Sequence, residues 1–345
     1  MSIASFLEKN YKHFNARETL AAAKAWHEFC RKGGKMLVSL AGAMSTAEIG
    51  ITLAPLIRAG KVHAISSTAA NMEEDLFNLV GNSRYKLQPK WRYLTMEDDL
   101  RTREEGFNRV TDTCIPEDVM IQIHEAMREL WAAARSGERS FHWEYFYKLI
   151  RSGFFADKHD VPLEHSWVVA ACEMDIPIYT PGMEDSTLGN MFCADVMQGH
   201  VGSHNVIKSG TEQFEHLTNW YYENQKKADI GFFQIGGGIA GDFAMCVIPG
   251  LVFDHKHEDC KCWKYFCHIG DSTTSYGSYS GCPANEKVSW YKLDPGTVNF
   301  TINSDASIVA PLIFSYLLEK HMEEVAAGKA EELGKGKMRK KGVEV

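Results

Sequence analysis

Short apolar runs that end in small residues and pass into helical patterns recur along the chain. This alternation limits the possible fold more than any other feature. MLVSLAGA (36–43) leads into STAEIGITLAPLIRAG (45–60), where Ser45 or Thr46 is placed to cap a helix and Gly60 to end it. KVHAISST (61–68) leads into NMEEDLFNLVG (71–81), and IPIYT (176–180) into LGNMFCADVMQG (188–199). GFFQIGGG (231–238) runs into three glycines, and YFCHIGD (265–271) is a further strand. NFTINSDASIVAPLIFSYLLEKH (299–321) reads as a strand and a final helix capped by Ser304 or Asp305. Strands buried on both faces read as unbroken apolar runs, and the intervening helices cover those faces. The expected fold is α/β: a doubly wound, mostly parallel sheet with flanking helices.

Residues 1–32 read as one amphipathic helical segment, with Leu7, Ala21 and Trp26 among its apolar positions and Gly33-Gly34 as its stop. A helix over 116–137 opens with Pro and closes with Gly, and a further helix is expected over 142–152. About 84–165 is therefore read as a helical insertion or flank. No internal repeat or linker appears, so residues 1–327 are read as a single domain. Residues 328–345, rich in Lys, Glu and Gly, are expected to be disordered. At 345 residues the chain can bury a substantial core, and its net charge of −8 gives no support for nucleic-acid binding. No apolar run reaches the roughly 20 residues of a membrane helix. The start, MSIASFLEKNYKHFN, has no apolar segment of a signal peptide, and the nine scattered cysteines read as reduced thiols. The expected location is the cytoplasm.

The Ser-, Tyr- and Gly-rich stretch 270–294 reads as a ligand-wrapping loop that ends in Glu286, Trp290 and Lys292. An aromatic wall can desolvate an amine, lower its pKa and leave part of it nucleophilic. By spacing alone, a solvated lysine at a strand edge is the ordinary reading. Gly236-Gly237-Gly238 and Ala41-Gly42-Ala43 follow strands and would let a cofactor approach backbone N–H groups, although neither matches GxGxxG. Glu73-Glu74-Asp75 and Glu184-Asp185 lie near strand ends, where they either favour helix dipoles or form a cavity attractive to cations. His255, His257, Cys260, Cys262, Cys267 and His268 could bind zinc, but Cys-x-Cys is not the usual pair spacing. A polar surface loop is preferred there, and no metal is assigned. There is neither a GxSxG elbow nor a GxxxxGK[ST] loop. The aromatics of NWYYEN sit at helical spacing and read as core or interface.

Together, TAANMEEDL, PGMEDSTLGNM, the Gly-Gly-Gly strand end, SYSGCPANEKVSWYK and SDASIVAPL resemble the deoxyhypusine synthase family, across roughly residues 30–320. IGGGIAGDF and GDSTTSYGSYSG resemble its bacterial deoxyhypusine synthase-like branch. The resemblance implies a Rossmann-like fold, bound NAD, and a homotetramer with sites at subunit interfaces. It also implies aminobutyl transfer from spermidine through an imine on Lys292, with Glu286 and Trp290 beside that lysine. It places NAD contacts on Ala41 to Ser45, Thr68, Ala69, Ala70, Glu74, Asp185, Gly237, Asp271, Ser272, Asp305 and Ala306. Amine-binding positions fall on Glu73, Asn190, Asp242, Gly277, Ser278 and Tyr279. Asn190 and Tyr279 stand where the parent family has Asp, Asp242 where it has His, and Tyr291 where it has Gly. The expected activity is thus an NAD-dependent aminoalkyl transferase acting on polyamines, with a small-amine acceptor. The alternatives are a true deoxyhypusine synthase that modifies a lysine of a translation factor, and a non-catalytic protein that binds NAD or polyamine.

Overall fold

The computed structural model describes residues 2–135, 137–274 and 277–328, and the tail assigned to 328–345 lies outside them beyond Gly328. Six strands form one sheet: β1 (Lys35–Leu40), β2 (Ala64–Ser67), β3 (Ile178–Tyr179), β4 (Ile230–Ile235), β5 (Trp263–Gly270) and β6 (Leu293–Asn303). Their order is β3-β2-β1-β4-β5-β6, and every neighbouring pair is parallel. This is the doubly wound arrangement expected from the alternation. The chain builds outward from β1 through β3, then returns to place β4 on the other side of β1. In a doubly wound sheet this switch point, at the carboxyl edge between β1 and β4, is where a ligand is expected to bind.

Every residue of β4 is buried, which is why its sequence is an unbroken apolar run. Successive side chains leave a strand on opposite faces. Phe233 meets Trp26 of the helix Phe14–Arg31 at 4.6 Å and Phe314 of the helix Ala306–Ala326 at 5.7 Å. Its neighbour Phe232 points the other way, 5.0 Å from Trp263, which in turn packs 4.7 Å from Tyr221 of the helix Gly210–Gln225. The NWYYEN aromatics thus include a core residue, Tyr221.

Local boundaries differ from the sequence reading in three places. The first 32 residues form two helices, Ile3–Asn10 and Phe14–Arg31, with Phe14 in the left-handed region at φ 55°. The helix after β1 begins at Gly50 instead of 45. Ser45 does not cap it: its Oγ accepts from the Trp167 indole at 2.9 Å, and its N–H donates to Asn71 Oδ1 at 3.0 Å. The segment 84–165 contains helices, but also a three-stranded antiparallel sheet of Lys86–Leu87, Thr113–Pro116 and Phe107–Val110, which was not anticipated. Asp305 is the cap of the last helix, accepting from Ser307 N–H at 2.8 Å. Among the described residues no helix is long and apolar enough to cross a membrane.

Candidate active site

The glycine triplet at the end of β4 turns the chain into the helix Gly238–Met245, which carries Asp242, with Cys246 following. The loop after β5 folds back over this turn. A Cβ on Gly237 would lie 2.1 Å from Ser280 Oγ, and one on Gly241 would lie 3.0 Å from the Tyr279 ring, so both glycines permit the contact. Tyr279 is pinned by donating its hydroxyl to Gln234 Oε1 at 2.9 Å. The chain then makes one helical turn, Glu286–Ser289, before β6. Tyr291 adopts φ 57°, and the kink directs Lys292 inward, where only 7% of it is exposed.

A cavity of about 530 Å³ results, with Asp242, Asp254, Tyr279, Glu286, Lys287, Trp290 and Lys292 among the residues lining it. Lys292 Nζ donates to Asp242 Oδ1 at 2.8 Å and stands 5.6 Å from both the Tyr279 and Trp290 ring centroids. Trp290 is 60% exposed and so forms a rim, not a buried wall. Burial acts to lower the Lys292 pKa. The hydrogen bond to Asp242, with Cys246 beside it, outweighs that effect and holds the amine above the ordinary lysine value. The expectation of a partly neutral lysine is thereby corrected: the carboxylate at position 242 keeps it protonated in this state of the cavity.

Sequence reasoning missed Lys287. It is 1% exposed, donates to the Cys282 carbonyl at 3.3 Å, and lies over the Tyr279 and Phe266 rings at 4.5 and 5.4 Å. Burial pulls its pKa below the ordinary value, and the charge of Lys292 adds to the effect. The available signal was its position one residue from Glu286, on a one-turn helix whose other side faces solvent.

The remaining residues named from the resemblance divide. Asp242, Gly277, Ser278, Tyr279, Glu286, Trp290 and Lys292 share the cavity just described. Ala70, Glu73, Glu74, Asp185 and Asn190 line a second cavity of about 490 Å³. There Glu73 accepts from the backbone N–H groups of Thr187 and Leu188, both at 2.7 Å, at the start of the helix Thr187–Met197. Its burial raises its pKa to about 7, against the pull of those two hydrogen bonds. Asn190 is exposed and donates to the Glu184 carbonyl. Glu74, also raised by burial, accepts from Thr46 Oγ1 at 2.8 Å. Thr68 caps the helix Ala69–Gly81 by accepting from Asn71 N–H, and Asn71 in turn donates to the Gly42 carbonyl. Ser45, Thr68, Gly237, Asp271, Ser272, Asp305 and Ala306 follow the carboxyl ends of β1, β2, β4, β5 and β6, on one edge of the sheet. Among the described residues no group of three His, Cys, Asp or Glu side chains could hold a metal ion.

Comparison with known proteins identifies the family. The family model described as deoxyhypusine synthase matches residues 7–317. A deoxyhypusine synthase-like protein of Cyanothece is 30% identical over 82% of this chain and 70% of its own length. A probable deoxyhypusine synthase 2 of Archaeoglobus fulgidus is 26% identical over 87% of this chain and 92% of its own. A solved structure from Entamoeba histolytica, described as a "putative deoxyhypusine synthase", shares the fold with a TM-score of 0.54 at 14% identity, covering 91% of this chain and 90% of that one. The chain belongs to the deoxyhypusine synthase family.

Proposed function

We propose that the chain is an NAD-dependent aminoalkyl transferase acting on polyamines, with Lys292 as the residue that carries the alkyl group. One observation supports this most: a lysine buried in a cavity, hydrogen-bonded to Asp242, with Glu286 and Trp290 lining the same space. For the cofactor, the fit rests on the glycine turns at the switch point between β1 and β4. Gly42 and Gly238, at φ 75° and 62°, have open space where a Cβ would stand, so backbone can approach a dinucleotide there. The residues after β1, β2, β4, β5 and β6 named above would hold it, and NAD would supply hydride transfer from and to an amine carbon.

The protein's own residues account for the rest. Asp242 accepts the proton that the Lys292 ammonium must lose before its nitrogen can form a carbon–nitrogen bond. Glu286 and Asp254 add negative charge that attracts cationic amines. Tyr279 and Asp242 beside Lys292, at positions the parent family fills with Asp and His, support an amine preference different from the parent's and a small-molecule acceptor. An exposed apolar rim of Trp290, Phe253 and the Tyr291 that packs on it supports coverage of the mouth by a second copy, as in a homotetramer with interface sites.

The test is borohydride trapping with NAD and a panel of polyamines, followed by peptide mass spectrometry. A secondary-amine adduct on Lys292, absent in Lys292→Arg, is expected. If no polyamine leaves an adduct on that residue, the reading is wrong.

A further inference from the structure

The charges of the Lys292 cavity do not cancel in pairs. Lys292 has its carboxylate in Asp242. Lys287 has none among the described residues, and its one hydrogen-bond acceptor is the Cys282 carbonyl at 3.3 Å. An ammonium has three donors, and a buried one with a single long contact is poorly compensated. The two ring faces around Lys287 suit a cation but cannot replace an anion. On the opposite side of the account, Glu286 and Asp254 line the same cavity and make no ion pair among the described residues. The cavity therefore presents one buried cation without a counter-ion and, at its solvent-exposed side, two carboxylates without an ion-pair partner. A simple diamine as acceptor would satisfy the carboxylates but leave Lys287 without a counter-ion.

We propose that the acceptor amine, which enters this cavity after the polyamine donor has left its alkyl group on Lys292, also bears a carboxylate, with Lys287 pairing the carboxylate and Glu286 or Asp254 pairing the ammonium. This deepens the transferase reading and rests on it only for the reaction performed, since the charge complement is a property of binding. Lys287 is then a residue that sets specificity, distinct from the lysine that carries the alkyl group.

Calorimetric titration of the intact chain with 4-aminobutyrate and with butane-1,4-diamine tests it. The two share a carbon backbone and differ at one end. A charge-assisted hydrogen bond made by one and missing from the other predicts at least about tenfold tighter binding of the amino acid. Lys287→Met keeps the length and apolar packing of the stem, and is expected to bring the two affinities within about threefold of each other. Equal or tighter binding of the diamine by the unaltered protein overturns the proposal, as does an unchanged ratio in Lys287→Met. The measurement on the unaltered chain decides the matter even if the variant does not fold. Trapping at Lys292 is read separately. A retained ratio without trapping removes the transferase reading alone, and trapping without the ratio removes this proposal alone.

Discussion

Position 291 offers a test of the backbone that delivers Lys292. Tyr291 stands at φ 57°, in the left-handed region. An L-residue there costs about 1–2 kcal/mol through the Cβ clash with the following carbonyl. Glycine escapes that cost but loses more freedom on folding, at about 0.5–1 kcal/mol. Tyr291→Gly is therefore expected to be more stable than Tyr291→Ala by about 0.5–1 kcal/mol, reversing the order found where φ is negative. Both variants lose the edge-on contact with Phe253, whose ring centroid is 4.8 Å away. Such a pair contributes about 0.5–1.5 kcal/mol, and the lower end applies because both rings are about half exposed. The glycine variant should thus fall close to the parent, and the alanine variant about 0.5–1 kcal/mol below the glycine variant. Urea denaturation of the three proteins followed by tryptophan fluorescence measures the difference. In thermal unfolding it corresponds to about 2 °C for a chain of this size. If alanine equals or exceeds glycine in stability, position 291 is not strained, and the account of how Lys292 is turned inward fails.

The protonated state of Lys292 sets a pH dependence. Because its pKa is raised, turnover should rise as pH increases toward that value, and Asp242→Asn should move the rise to lower pH; a pH–rate profile that falls over the alkaline range contradicts this. The Asp242 pairing adds stability that is fully present below the unfolded lysine pKa and is lost as pH climbs through the raised folded value, so the Asp242→Asn penalty in chemical denaturation should shrink at high pH. Gly237→Ala places a Cβ 2.1 Å from Ser280 Oγ and should displace the loop over the cavity, costing about 1–3 kcal/mol by denaturation and most of any activity; a neutral result denies that this contact shapes the site. Tyr279→Phe deletes the hydrogen bond to Gln234 and should cost about 0.5–1.5 kcal/mol, with ligand affinity changed more than melting temperature.

The strands were legible because burial on both faces leaves no room for alternation, as in the fully buried β4. The start of the helix after β1 was not, since Ser45 has the chemistry of a cap but is held by Trp167 and Asn71, residues far away in the chain. The small sheet within 84–165 was invisible for a related reason: its strands are two to four residues long and Lys86–Leu87 is exposed, too short for any period to show. At the site, the trio of Glu286, Trp290 and Lys292 could be singled out from residue types, but solvent was the ordinary place for the lysine. Its inward turn follows from Tyr291, whose left-handed backbone no residue type announces when glycine is absent. The sign of the Lys292 pKa shift depended on Asp242, which lies fifty residues earlier in sequence.

One backbone hydrogen bond, from Lys292 N–H to the Lys287 carbonyl at 3.1 Å, ties the two amines to a single turn. Inserting or deleting a residue between them would rotate one out of register with the other, so indels in this stretch cannot drift neutrally. Change in this stretch is therefore expected by substitution at constant length.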